Sequence, residues 1–230
     1  MRDRRRRVLV LTAVGAERDA VAAGLAAAGE AAGGTEVSVA GVGPAAAAAG
    51  AMYALTWAAE GGERPALVVS AGIGGGFAPM APVGSLAVAR TIVAADLGAQ
   101  TGEGFVPVAD LGFGRSEHHP PARLSRAVAD ALGAAYGPVL TVSTVTGTAA
   151  RAAELAGRHP GAVAEAMEGF GVAEAAALLG VPVLEIRAVS NPVGPRDRAA
   201  WRIGEALAAL TSAFGKLPGV WEVEAAHDDT

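Results

Sequence analysis

Val183-Leu184-Glu185-Ile186-Arg187-Ala188-Val189-Ser190-Asn191 reads as a strand that runs out into a polar loop at Ser190-Asn191-Pro192. Upstream of it stands Ala164-Glu165-Ala166-Met167-Glu168-Gly169-Phe170-Gly171. Residues 169–180 between the two are small and apolar, and they close on Gly180-Val181-Pro182. That composition predicts a helix, ended by Gly and kept from continuing by Pro. In a parallel α/β sheet, ligand chemistry collects at the carboxyl ends of strands. Met167-Glu168 opens the helix and Asn191 ends the following strand, so this order brings the two to one pocket.

The same alternation extends outward in both directions. Residues 8–14 form a continuous apolar run suited to a strand buried on both faces. Residues 17–28 follow as a helix with acids in its first turn, where they complement the dipole. Residues 36–42 read as a strand that turns at Gly41-Val42-Gly43-Pro44 into an Ala-rich helix ending near Ala59. Residues 66–71 form a strand that opens into the Gly-rich stretch 72–76, a turn where backbone can approach a ligand closely. Residues 83–93, 106–108 and 139–145 supply further strands, 122–135 a helix, and 201–214 a closing helix. Strands alternating with helices predict an α/β fold with a mainly parallel sheet covered on both sides. Gly72, Gly74 and Gly75 imitate a dinucleotide fingerprint, but Pro79 and Pro82 stand where its helix would begin, and no suitably placed acid follows.

Composition narrows the partners. The chain has 230 residues, 52% hydrophobic and 18% charged, enough for one α/β domain over residues 1–215. A basic tail is expected over 1–7 and a loose acidic tail over 216–230. A net charge of −5 gives no reason to expect a nucleic-acid partner. No uninterrupted apolar run approaches the length of a membrane span. With no Cys there is no disulfide framework, thiolate nucleophile or Cys-based zinc site, which fits a cytoplasmic protein. The arginines before Val8-Leu9-Val10-Leu11 imitate a signal peptide, but Glu17-Arg18-Asp19 follows too soon, so a buried first strand is expected.

The Met167-Glu168 pair before a small-residue helix, with Arg187-Ala188-Val189-Ser190-Asn191 at the next strand end, resembles the purine nucleoside phosphorylase/nucleosidase superfamily. Its methylthioadenosine/adenosylhomocysteine nucleosidases carry Met-Glu-Gly/Ala and Ser-Asp at these places. The present chain has Asn191, then Pro192-Val193-Gly194-Pro195-Arg196-Asp197 and a nearby Trp201. That pattern is more similar to the futalosine hydrolase branch, the nucleosidases of the alternative menaquinone pathway. The resemblance spans most of residues 8–215. It implies a three-layer α/β/α sandwich around a mixed, partly barrelled sheet, which pattern alone does not separate from a Rossmann-like order. It also implies a small nucleoside substrate, no cofactor, no metal and a homodimer or larger homo-oligomer.

Residue by residue, the resemblance gives Glu168 the ribose hydroxyls and the developing positive charge, with Met167 against the sugar. Ser70, Ala71 and Gly72 fall beside ribose and purine. Glu17 is the candidate base for water and Asp19 its register alternative. Thr146 lies in a loop that reads the purine edge, and Phe170 or Phe105 is left to stack the base. Each has a plainer reading: a helix-start acid for Glu17 and Glu168, a core Met, a turn Asn before Pro for Asn191. Asn191 is the informative departure. An amide both donates and accepts hydrogen bonds, so it suits the O6 of a 6-oxopurine where a carboxylate would repel it. Arg196, Asp197 and Trp201 read equally well as pocket wall or as loop charge and core. His118-His119 has no spaced third ligand and reads as an exposed loop. The expected activity is hydrolysis of futalosine to hypoxanthine. An adenine-directed nucleosidase, a phosphorylase and a non-catalytic nucleoside-binding domain are the rivals.

Overall fold

Leu9 and Leu11 pack to one side of the first strand and Val8 and Val10 to the other, as the two-residue period of a strand requires. That strand, β1 (Val8–Thr12), has helices over both of its faces. The computed structural model of the protein describes residues 7–62 and 64–228. The basic run expected as an N-terminal tail lies, apart from Arg7, outside them.

In chain order there follow α1 (Gly15–Ala28), β2 (Thr35–Val39), α2 (Pro44–Glu60), β3 (Leu67–Gly76) and β4 (Leu86–Ala94). The hairpin β5 (Gly98–Thr101) and β6 (Gly104–Pro107) stands apart from the main sheet. Next come β7 (Glu117–His118), α3 (Ala122–Leu132), β8 (Ala135–Thr141), α4 (Ala149–Arg158), β9 (Ala164–Ala166), α5 (Gly169–Leu178), β10 (Val183–Pro192) and α6 (Ile203–Asp228).

β3, β9, β8, β4 and β10 pair in that order, and β10 pairs back onto β3, which closes a five-stranded barrel within an eight-stranded sheet. β1 and β2 extend that sheet beyond β3, and β7 pairs with β4. Pairings of β3 with β10, β4 with β8, and β8 with β9 are parallel, while β3–β9 and β10–β4 are antiparallel. The sheet is therefore mixed. Ala47, Ala51 and Leu55 of α2 and the small residues of α5 cover one face. Val21 and Leu25 of α1, Leu124 and Val128 of α3, and the apolar side of α6 cover the other. The result is the expected three-layer α/β/α arrangement around a partly closed sheet.

Two readings of the sequence are corrected. Residues 72–76 are not a turn, because β3 continues straight through them to Gly76, paired with β10 and then with β9. The glycines serve close approach of neighbours there, not a reversal. Residues 216–228 are not a loose tail but the continuation of α6. Phe214, Leu217 and Trp221 recur at helical spacing and are all buried, with the Phe214 and Trp221 ring centroids 6.4 Å apart. That apolar stripe outweighs the stop signal of Pro218.

Candidate active site

The carboxyl ends of β1, β3 and β10, the N-terminal turn of α1 and the β9–α5 junction surround a cavity of about 240 Å³. Glu17 enters it from the first turn of α1. Its Oε2 accepts from the amides of Ala13 at 2.9 Å and Val14 at 3.3 Å, and Oε1 from the amide of Ile73 at 2.8 Å. Three backbone donors thus fix the carboxylate between β1 and β3. Gly72 makes room for it, since a Cβ there would stand 2.6 Å from Glu17 Oε1 and 2.9 Å from Arg187 Nη1. Asp19 faces solvent and pairs with Arg18 at 2.7 Å.

Glu168 caps α5 at the end of β9 and also lines the cavity. Oε1 accepts from Gly43 N at 3.2 Å, and Oε2 from Met167 N at 3.3 Å and Arg187 Nη1 at 3.1 Å. Arg187 is 1% exposed and also donates through Nε to Glu185 Oε1 at 2.9 Å and through Nη2 to Ser70 Oγ at 3.0 Å. Burial works against the Arg187 cation, but Glu185, Glu168 and Glu17 outweigh it and raise its proton affinity. Burial likewise pushes the Glu185 carboxyl up, against the pull of Arg187. The acids at 185 and 168 and the base at 187 form one buried network behind the cavity.

Asn191 lies at the β10 bulge and lines the same cavity. Ser190 Oγ stands 2.8 Å from its Oδ1, and its Nδ2 donates to Pro192 O at 3.0 Å. Met167 and Trp201 line the cavity as well. Arg196 and Arg198 stand 5.8 Å and 6.0 Å from the Trp201 ring centre.

Glu17, Glu168, Met167 and Asn191 therefore meet, as the sequence suggested. Ser70, Ala71, Gly72, Thr146 and Phe170 stand behind the wall. Ser70 and Ala71 are 1% exposed, and the stretch of β3 that faces the cavity is Ile73-Gly74-Gly75, a few residues further on. Phe170 borders a separate cavity of about 120 Å³ and packs on His118 at 5.1 Å, while Phe105 sits under Arg158 at 4.2 Å. His118 is not in an exposed loop: it is buried on β7 with Nε2 2.9 Å from Glu174 Oε1, and only His119 is exposed. Among the described residues no group of three His, Cys, Asp or Glu is placed to hold a metal, and no helix is long and apolar enough to cross a membrane.

Three side chains escaped the sequence reading. Glu185 and Arg187 alternate on one face of an otherwise apolar strand, and that spacing was the available signal for a buried ion pair. Glu165 had no such signal. It is 4% exposed, lines the cavity, and accepts from Thr146 N at 2.8 Å and from the Thr146 hydroxyl. Burial raises its pKa, and the two Thr146 hydrogen bonds oppose the rise.

A barrelled α/β sheet with a carboxylate-lined cavity at its strand ends is the ground plan of one large group of enzymes. Residues 7–217 match the phosphorylase superfamily, and the chain belongs to it. The chain is 65% identical to the futalosine hydrolase of Streptomyces coelicolor over 96% of its own length and 99% of that protein. It is 45% identical to the futalosine hydrolase of Acidothermus cellulolyticus, covering 93% and 91% of the two chains. Among solved structures, the 5'-methylthioadenosine/S-adenosylhomocysteine nucleosidase of Neisseria meningitidis superposes with a TM-score of 0.75 at 18% identity, covering 95% and 99% of the two chains.

Proposed function

We propose that the protein hydrolyses the N-ribosidic bond of futalosine and releases hypoxanthine, the reaction that places its resembled branch in menaquinone biosynthesis. The observation that carries this is the cavity itself, which joins Glu17, Glu168 and Asn191 while, among the described residues, none that lines it is cationic. A phosphorolytic site needs positive charge for phosphate, and water needs only a base. Near-full-length likeness to two futalosine hydrolases supports the same substrate.

Departure of the base leaves an oxocarbenium-like ribosyl group, so the site must favour positive charge at the sugar. Glu168 supplies that charge complement and accepts from ribose hydroxyls. Arg187 is a positioning residue behind it, and Met167 packs against the sugar. Glu17, held by three amides, takes the proton of the attacking water. Asn191 donates to O6 or N7 of the leaving purine, and Trp201 is the aromatic surface available to the bound nucleoside. We also infer a cytoplasmic homo-oligomer; Tyr53 and Trp57 on α2, 66% and 61% exposed, offer it an apolar patch.

The test is base release from futalosine, inosine and methylthioadenosine, with and without phosphate. Hypoxanthine from futalosine at a rate independent of phosphate is expected. Phosphate dependence, or preference for methylthioadenosine, overturns the reading.

A further inference from the structure

Arg187 poses a difficulty for the chemistry above. Its Nη1 stands 3.1 Å behind Glu168 Oε2, and a cation there offsets the negative charge that Glu168 holds toward an oxocarbenium-like sugar. It lies close to the second acid as well. A Cβ on Gly72 would stand 2.6 Å from Glu17 Oε1 and 2.9 Å from Arg187 Nη1, so the two side chains meet over one glycine. Where water is excluded, such charges are felt strongly. Left uncompensated, Arg187 opposes the departure of the base.

Glu185 supplies the compensation. It precedes Arg187 by two residues on β10, and so shares its face of the strand. Its Oε1 accepts from Arg187 Nε at 2.9 Å, a different nitrogen from the one that meets Glu168. Of the acids that favour the Arg187 cation, Glu185 contributes most, ahead of Glu168 and Glu17. For the fold alone, this carboxylate is a liability. It is fully buried, and among the described residues nothing donates to its Oε2. The first residue of α5 must be Gly169, because a Cβ there would strike the Glu185 carboxyl. A buried ion pair of this kind often adds no net stability over well-packed apolar side chains. Neither Glu185 nor Arg187 lines the cavity, so Glu185 acts on the site only through its neighbours.

We propose that Glu185 is a positioning residue of the reaction that works through Arg187: its carboxylate cancels the guanidinium charge, so Glu168 is oriented by a cation yet keeps its negative charge for the ribosyl group. This rests on the reading of the protein as a nucleosidase and deepens it. Glu17, Glu168 and Glu185 share the single base Arg187. With Glu185 in place, it and Arg187 form a neutral pair, and both cavity acids face the sugar at full charge. Without it, the charge of Glu168 is neutralised from behind.

The experiment uses two C-nucleosides of 9-deazahypoxanthine that cannot be hydrolysed. One carries ribose, and the other a pyrrolidine whose ring nitrogen holds a proton. Their affinity ratio reads the charge presented to the sugar. Wild type is expected to prefer the cationic ligand by about tenfold or more. Glu185→Gln keeps an acceptor for Arg187 Nε but removes the charge. Its ratio should fall at least about fivefold while the ribose ligand binds as before, and on futalosine kcat should fall with KM held. Glu185→Asp retains the charge and should retain most of the preference. The double variant Glu185→Gln/Arg187→Gln removes both charges and should return the ratio toward wild type. The proposal is overturned if Glu185→Gln leaves the ratio unchanged or weakens both ligands equally, since the pair would then only support the fold. It is also overturned if Glu185→Asp loses as much preference as Glu185→Gln, or if the double variant is no better than the single one. Should Glu185→Gln fail to fold, the double variant decides: a ratio near wild type supports charge cancellation, and a lost preference overturns it. Failure of the nucleosidase reading looks different: no hypoxanthine is released from futalosine, while the ligand ratio still responds to Glu185→Gln.

Discussion

Arg187 Nη1 lies 3.1 Å from Glu168 Oε2, and this single contact ties the cavity to a charge network that has almost no access to water. Glu168 faces the cavity, so its carboxylate is oriented from behind by a cation that also donates to Glu185 and Ser70. The planar fork of an arginine meets the three partners with three separate nitrogens, where a lysine has a single one. One base thus links strand packing to the geometry of the site.

Removal of that base should be severe. Arg187→Gln leaves Glu185 and Glu168 buried without their cation, and breaking a buried pair from one side typically costs about 3–5 kcal/mol. Equilibrium urea unfolding of the variant and the wild type measures it. An unchanged midpoint with an unchanged slope would show that the network contributes nothing to the fold.

Glu168→Gln tests the other end of the contact. The amide retains most of the shape but loses the charge that faces the ribosyl cation. Loss of such an electrostatic stabiliser raises the barrier by roughly 3–4 kcal/mol. The expected outcome is a folded protein with kcat reduced by two to three orders of magnitude, on the order of 10²–10³. Near-normal turnover in the purified variant would sink the role.

At the first helix, Glu17→Gln should cripple hydrolysis while substrate binding survives, because water activation acts on the chemical step. Asp19→Asn should be nearly silent, as its carboxylate lies at the surface against Arg18. Steady-state kcat and KM for both variants decide between them. Reversed severities would make Asp19 the base.

How much of this was legible beforehand depends on where the signal sits. The strands and helices of the sheet, the Met167-Glu168 turn and Asn191 at a strand end all announce themselves through local pattern. Gly72 and Gly74 misled because glycine signals a turn locally, whereas these residues are small so that Glu17, Arg187 and the β9 backbone can approach β3. That reason is tertiary. Ser70, Ala71 and Gly72 were placed in the site for the same cause, a few residues short of where β3 meets the cavity. Phe170 looked like a stacking ring by position, yet the first turn of α5 carries it to His118 on the far side. Glu165 gave no warning, because its place in the cavity wall is defined only by the register of β9 against β3.

The raised pKa of Glu165 has a consequence for stability. A carboxyl whose folded pKa lies above its unfolded value binds its proton more tightly in the folded state. Its contribution is complete below the ordinary glutamate range and is lost as pH rises through the raised folded value. Glu165→Gln cannot titrate, so it escapes that loss. The melting temperature of the variant minus that of wild type should therefore grow as pH rises from about 4 to 7. A difference that is flat or shrinks across that range would contradict the sign of the shift.

Base choice gives the last prediction. Asn191→Asp should lower activity on futalosine and raise relative activity on its 6-amino counterpart. A carboxylate at this position faces the lone pairs of O6 unfavourably, yet it accepts from an exocyclic amine and can share a proton with N7. It also adds a fourth acid to a cavity already lined by Glu17, Glu165 and Glu168, so some loss on both substrates is expected from like-charge repulsion. Mispairing one buried polar group costs about 1–3 kcal/mol, or roughly 5- to 150-fold in the ratio. Because the rest of the cavity wall is unchanged, the ratio should shift within that range without a full exchange of substrate. The measurement is kcat/KM for both nucleosides on wild type and Asn191→Asp. An unchanged ratio in Asn191→Asp would mean that the amide does not read position 6.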